Sequence, residues 1–131
     1  VRMKNLRKQK VCSLAVANSI DYIYDHLHTR ITIEELASHV KLNSSYLSRL
    51  FKKELGQSVS EYIQDKKIET AKNMLIYSNY SIAQISSILA FPSQSYFTKV
   101  FHTKTSMTPT SYRTLYFRNT EIGKENTSPM P

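Results

Sequence analysis

Ser45, Ser48, Arg49 and Lys52, in the stretch SYLSRLFKKEL, recur at i, i+3, i+4 and i+7, the spacing of one helix face. A similar set, Gln94, Ser95, Thr98, Lys99 and His102, lies opposite the apolar residues of SQSYFTKVFHTK. These residue types suit duplex DNA. An α-helix fits the major groove, where Arg can form a bidentate pair with guanine and Gln with adenine, while Ser and Thr serve donors or acceptors. Each good base contact is worth roughly 1–3 kcal/mol of discrimination, whereas Lys attracts phosphate without reading sequence. Ser45, Ser48, Arg49, Gln94, Ser95, Thr98 and Lys99 are therefore the candidate base-reading residues, with Arg49, Gln94 and Lys99 foremost. Lys52, Lys53, Lys66, His102 and Lys104 are the candidate phosphate contacts. The plainer alternative is a solvated basic helix face, which such residues usually form.

Other chemistries find less support. His26, His28, His39 and His102 are the obvious metal or catalytic candidates, but His26 and His28 stand two apart on a helical pattern and face different ways. No Gly-rich phosphate loop occurs, and no strand-turn-helix setting exposes a nucleophile. The expectation is a non-enzyme that binds neither metal nor cofactor. Most tyrosines fall at apolar periodic positions, which favours core packing over base stacking.

Composition bounds the fold. Of 131 residues 40% are hydrophobic, enough for a core, and Gly56 and Gly123 are the only glycines, so hairpin turns are scarce and an all-α fold follows. Eighteen Lys and Arg against ten Asp and Glu give a net charge of +8, which favours a polyanion such as nucleic acid or an anionic membrane. No apolar run approaches the ~18 residues of a membrane span. The basic leader also lacks the apolar face of an interfacial helix. With the lone Cys12, these features point to a reducing, cytoplasmic setting.

The elements that position the polar faces come in two copies. Ile82, Ile85, Leu89 and Phe91 fall 49 positions after Ile33, Leu36, Val40 and Leu42. After one inserted residue the offset is 50, pairing Tyr96, Phe97, Val100, Phe101 and Tyr112 with Tyr46, Leu47, Leu50, Phe51 and Tyr62. Two copies make a bipartite module rather than a solenoid, which needs at least ~3 repeats. Such duplication of both core and polar face argues against a merely solvated surface.

Residues 1–12 read as a basic linker or arm, 13–58 as a first helix-turn-helix subdomain, 59–78 as a linker helix, 79–118 as a second subdomain and 119–131 as a disordered tail. The abrupt start at Val1 suggests a fragment lacking an N-terminal domain. A helix over Ser13 to His28 is expected to buttress the first unit. Thr32 is the expected N-cap of the next helix, with Ser44 or Ser45 capping the one that stops at Gly56. In the linker helix, Ser60 to Tyr77, Lys66, Lys67 and Lys72 are expected to be exposed. Its 18 residues would span about 27 Å, approaching the ~34 Å between successive major grooves. In the second unit Ile88 joins the buried stripe, Pro92 ends the first helix and Ser93 caps the next, whose Tyr96, Phe97, Val100 and Phe101 face the core. Thr108-Pro109 opens a last short helix.

The run IEELASHVKLNSSYLSRLFKKELGQSVSEYI, then KKIETAKNML, then SIAQISSILAFPSQSYFTKVFHTKTSMTPTSYR resembles the DNA-binding domain of AraC/XylS-type transcription regulators, over roughly Ile20 to Arg113. The resemblance implies about seven helices, two helix-turn-helix units and a linker helix. It implies a bacterial-type regulator, usually an activator, with double-stranded DNA and RNA polymerase as partners and oligomerisation through the missing N-terminal domain. The family's base-reading positions match Ser45, Ser48 and Arg49 in the first unit and Gln94, Ser95 and Lys99 in the second. This chain departs from the family pattern at Ala90 and Ser106, where Gly is usual, at Lys67, where Arg is usual, and at His102-Thr103, where two basic residues are usual. The alternative function is a non-specific nucleic-acid or acidic-protein interaction module.

Overall fold

Each helix start is fixed by a side chain satisfying backbone N–H groups that the helix leaves unpaired, an effect worth ~1 kcal/mol per cap. The computed structural model describes residues 13–116, so the expected arm over 1–12, Cys12 and the expected tail over 119–131 lie outside the described residues. Helix α1 (Leu14–Asp25) starts at the Ser13 cap and ends three residues short of His28. Helix α2 (Ile33–Val40) opens with a reciprocal capping box between Thr32 and Glu35. Helix α3 (Ser44–Leu55) is capped by Asn43, not by Ser44 or Ser45. The Asn43 amide oxygen accepts from the N–H groups of Ser45 and Tyr46 at 2.9 and 3.2 Å. Helix α4 (Val59–Tyr77) starts from a Ser58–Glu61 box, α5 (Ile82–Ile88) from a Ser81–Gln84 box and α6 (Gln94–Thr105) from Ser93. A seventh helix, α7, occupies residues 109–116, with Thr108 accepting from the Ser111 N–H. Among the described residues there are no strands.

The chain divides at Gln64/Asp65 into two units, and α4 is the linker helix that belongs partly to each. In the first unit Val16, Ile20 and Ile23 of α1, Leu36 and Ala37 of α2, Leu47 and Phe51 of α3, and Val59 and Ile63 of α4 close one core. In the second, Ile68, Ala71 and Leu75 of α4 take the place of α1, packing with Ile85, Leu89, Phe97, Val100 and Phe101. The correspondence reaches individual contacts. Phe51 meets Tyr62 edge-on at 5.4 Å, and Phe101 meets Tyr112 in the same geometry at 5.4 Å, 50 residues later. Glu54 of α3 accepts from the N–H of Ser13, while Lys104, 50 residues after Glu54, pairs with Asp65 at 2.7 Å. The duplicated unit thus includes a buttressing helix, held by an acid of α3 on a backbone N–H in the first copy and by a base of α6 on a carboxylate in the second.

Backbone conformation repeats too. Among the described residues the four with positive φ are Lys41 (60°) and Gly56 (78°) in the first unit, and Ala90 (58°) and Ser106 (65°) in the second. In the turn after α2, Leu42 N–H donates to Ala37 C=O and Lys41 N–H to Ser38 C=O; after α5, Phe91 N–H donates to Ser86 C=O and Ala90 N–H to Ser87 C=O. These bond pairs define a Schellman motif, which needs a left-handed residue after the helix. The α5 stop is therefore set by Ala90 and comes before Pro92, which is the residue inserted between the two halves of the repeat. Ala90 and Ser106 stand where the resembling family has Gly and keep the left-handed geometry, at a cost of order 1 kcal/mol each.

Candidate nucleic-acid interface

Helix α3 turns Leu47 and Phe51 into the core and leaves Ser45, Ser48, Arg49, Lys52 and Lys53 exposed. The sequence pattern places these five on one helix because 3.6-residue periodicity separates them from the buried positions. Helix α6 does the same. Phe97, Val100 and Phe101 are buried, while Gln94, Ser95, Lys99, His102 and Lys104 are exposed and Thr98 is half-buried. Each unit thus brings its own group of expected reading residues together on one exposed helix. Lys66 stands apart on α4, largely covered and 3.4 Å from Glu69.

The electrostatics differ between the helices. Glu54 is the one acid on α3, and its carboxylate is engaged at the N-terminus of α1. The second unit has no Asp or Glu between Glu69 and Glu121, and its acids among the described residues, Asp65 and Glu69, are ion-paired with Lys104 and Lys66. Lys104 is consequently compensated, whereas Lys99 carries its charge on a face without acids.

Several positions depart from the sequence reading, the largely covered Lys66 among them. Tyr96, expected to face the core, is 41% exposed, and Tyr46, its counterpart at an apolar position of the repeat, is 46% exposed. In the first turns of α3 and α6 they occupy the shoulder between the buried and the polar face. More generally the tyrosines avoid the deep core: Tyr24, Tyr77, Tyr80 and Tyr116 are also exposed, and Tyr22, Tyr62 and Tyr112 are half-buried. Ile88, expected in the buried stripe, lies at the solvent edge.

Lys67 departs furthest. Expected to be exposed, it is 5% exposed, and its ammonium donates to the C=O of Leu89 at 2.5 Å, beside the Phe91 ring at 5.8 Å. Burial pushes its pKa down from 10.5 to about 8. Its partner is a carbonyl that α5 leaves unpaired at its end, so Lys67 ties α4 to the turn that precedes α6. Arg113 of α7 does the equivalent for α4, its guanidinium donating to the carbonyls of Leu75 at 2.9 Å and Ser78 at 3.2 Å. The turn is closed from a third side by Ser86, whose hydroxyl donates across it to the Ser93 carbonyl. Ser86 and Lys67 are polar residues at positions that periodicity assigns either to core or to solvent, so helix patterning misses them. The i, i+3, i+7 spacing of Lys67 to Thr70 and Met74 was the available signal that its stem follows a half-buried stripe.

In the first unit the phenol of Tyr22 donates to the Glu35 carboxylate at 2.5 Å. That bond holds the Glu35 pKa below its usual value, with the Thr32 cap adding to the effect. Among the described residues no group of three or more His, Cys, Asp or Glu side chains is arranged to hold a metal ion. No described helix is long and apolar enough to cross a membrane.

Two duplicated units, each with a short helix, a tight turn and a second helix whose outer face is polar and basic, define a helix-turn-helix protein. Residues 36–114 match the helix-turn-helix domain family, and the chain belongs to it. It is 42% identical over 110 residues to the uncharacterized HTH-type transcriptional regulator YobQ of Bacillus subtilis, covering 83% of this chain and 45% of that protein. Among solved structures it is similar to the C-terminal domain of AraT, a response regulator from Geobacillus stearothermophilus. The TM-score is 0.76 at 28% identity, over 79% of this chain and 86% of that one. The DNA-binding domain of AdpA, a global transcriptional factor, in complex with a target DNA has the same fold, with a TM-score of 0.73 at 19% identity, covering 91% of this chain and 100% of that one. The chain spans less than half the length of YobQ and of the other curated relatives reported for it. These matches place the chain among helix-turn-helix domains homologous to the DNA-binding domains of HTH-type transcription regulators.

Proposed function

We propose that the chain is the DNA-binding domain of an AraC/XylS-like transcription regulator that reads double-stranded DNA with α3 and α6 in successive major grooves. Base readout falls to Ser45, Ser48, Arg49, Gln94, Ser95, Thr98 and Lys99. Lys52, Lys53 and His102 contact phosphate, with Lys66 and Lys104 in weaker supporting roles because each already faces a carboxylate. The observation that carries the reading is the duplication itself: caps, left-handed turns, aromatic contacts and exposed polar faces recur at offsets of 49 and 50 residues. A surface under no constraint but solubility has no reason to repeat its outward residues in step with its core. Activation of transcription, RNA polymerase as partner and dimerisation through a further domain belong to the same proposal and rest on the family resemblance.

Footprinting on a bound duplex tests the two-helix reading. Protection of two major-groove segments about one helical turn apart supports it. Protection of a single groove refutes the two-helix mode, and equal affinity for shuffled duplexes refutes sequence-specific recognition in favour of a non-specific interaction module.

A further inference from the structure

An exposed tyrosine stands at the start of each second helix. Tyr46 occupies an apolar position of the repeat, yet it is 46% exposed, and the core beneath it is closed by Leu47 and Phe51. The Arg49 guanidinium lies over its ring, 6.0 Å from the centroid. Tyr96, 50 residues later and three before Lys99, is exposed in the same place. We propose that Tyr46 and Arg49 act as one reading pair, Arg49 on a guanine and Tyr46 on the 5-methyl group of a neighbouring thymine. This rests on the reading of α3 as a groove-binding helix.

The chemistry follows from the groove. The N-terminal residues of a recognition helix come closest to the base edges. The thymine methyl is the apolar feature of the major-groove edge, and an aromatic ring at the rim of the polar face meets it without leaving a donor unpaired. The ring has a second effect. A guanidinium stacked on an aromatic face has fewer conformations to lose on binding, so the fork is held ready for a bidentate pair. Placing both groups on adjacent positions of one helix turn ties the guanine to the base beside it, so the preferred element is a two-base step.

The test uses the full chain and duplexes selected from a random pool. The guanine is located as the position whose preference disappears in Arg49→Ala. Replacing the adjacent thymine by uracil removes the methyl group and nothing else. We expect wild type to lose about fourfold in affinity, the worth of one buried methyl, Tyr46→Phe to lose the same, and Tyr46→Ala to bind the two duplexes equally. The proposal is overturned if wild type binds thymine and uracil duplexes equally, if no thymine flanks the guanine, or if Tyr46→Ala retains the full thymine preference. Those outcomes leave sequence-specific binding standing, whereas failure to select any duplex overturns that reading as well.

Discussion

Replacing Lys67 by Met tests whether the second unit carries a buried cation. With a pKa lowered from 10.5 to about 8 by burial, the charged form is disfavoured in the folded protein by roughly 3 kcal/mol near neutral pH, partly offset by the bond to the Leu89 carbonyl. Because the folded pKa lies below the unfolded one, the unfolded chain binds more protons between the two values. Stability therefore rises with pH in that window. Integrated from pH 7 to pH 9.5 the gain is roughly 2 kcal/mol. The window closes near pH 10, where Tyr22 and Tyr112, whose pKa values are raised above 10.0, begin to ionise in the unfolded chain first and reverse the slope. Lys67→Met abolishes the rise. At pH 7 it exchanges the desolvation penalty for an unpaired Leu89 carbonyl, itself worth ~1–3 kcal/mol, so its net stability there is close to wild type. Urea unfolding of both proteins at intervals between pH 7 and pH 9.5, taken as the difference between them, isolates this group. A wild-type curve parallel to that of Lys67→Met refutes the buried-cation account.

Three further outcomes are expected. Ala90→Gly relieves a left-handed alanine and stabilises by about 0.5–1 kcal/mol, while Gly56→Ala destabilises by about 1 kcal/mol through its backbone alone, since a Cβ there meets no atom within 4 Å. Thermal unfolding of both variants reads the opposite signs. Tyr22→Phe removes the chief cause of the lowered Glu35 pKa, a contribution present above the unfolded carboxylate pKa and lost as pH falls through the folded one. The variant is therefore less stable by up to about 1 kcal/mol at neutral pH and converges on wild type in acid. Lys53→Ala lowers the salt slope of DNA binding by about 1, and Lys104→Ala by less because Asp65 already compensates it at 2.7 Å.

Periodicity alone carried much of the fold. The spacing of Ile33, Leu36 and Val40 against Ile82, Ile85 and Leu89 revealed the duplication, and Thr32, Ser93, Gly56 and Pro109 marked helix ends correctly because their effects are local. The exposed faces of α3 and α6 followed from the same spacing. What periodicity missed depends on tertiary partners. Lys67 is a solvent residue by type, and only the packing of α4 against the end of α5 buries it. Tyr46 and Tyr96 have apolar bodies, but Leu47 and Phe97 fill the interior first. Pro92 masked the true stop at Ala90, since a positive φ at alanine leaves no trace in residue type.

Selection of bound duplexes from a random pool tests the central claim most directly. The account predicts an enriched site with two specified segments about one helical turn apart, one depending on Arg49 and the other on Lys99. Recovery of unenriched sequence, or of a single short segment unaffected by Lys99→Ala, contradicts it.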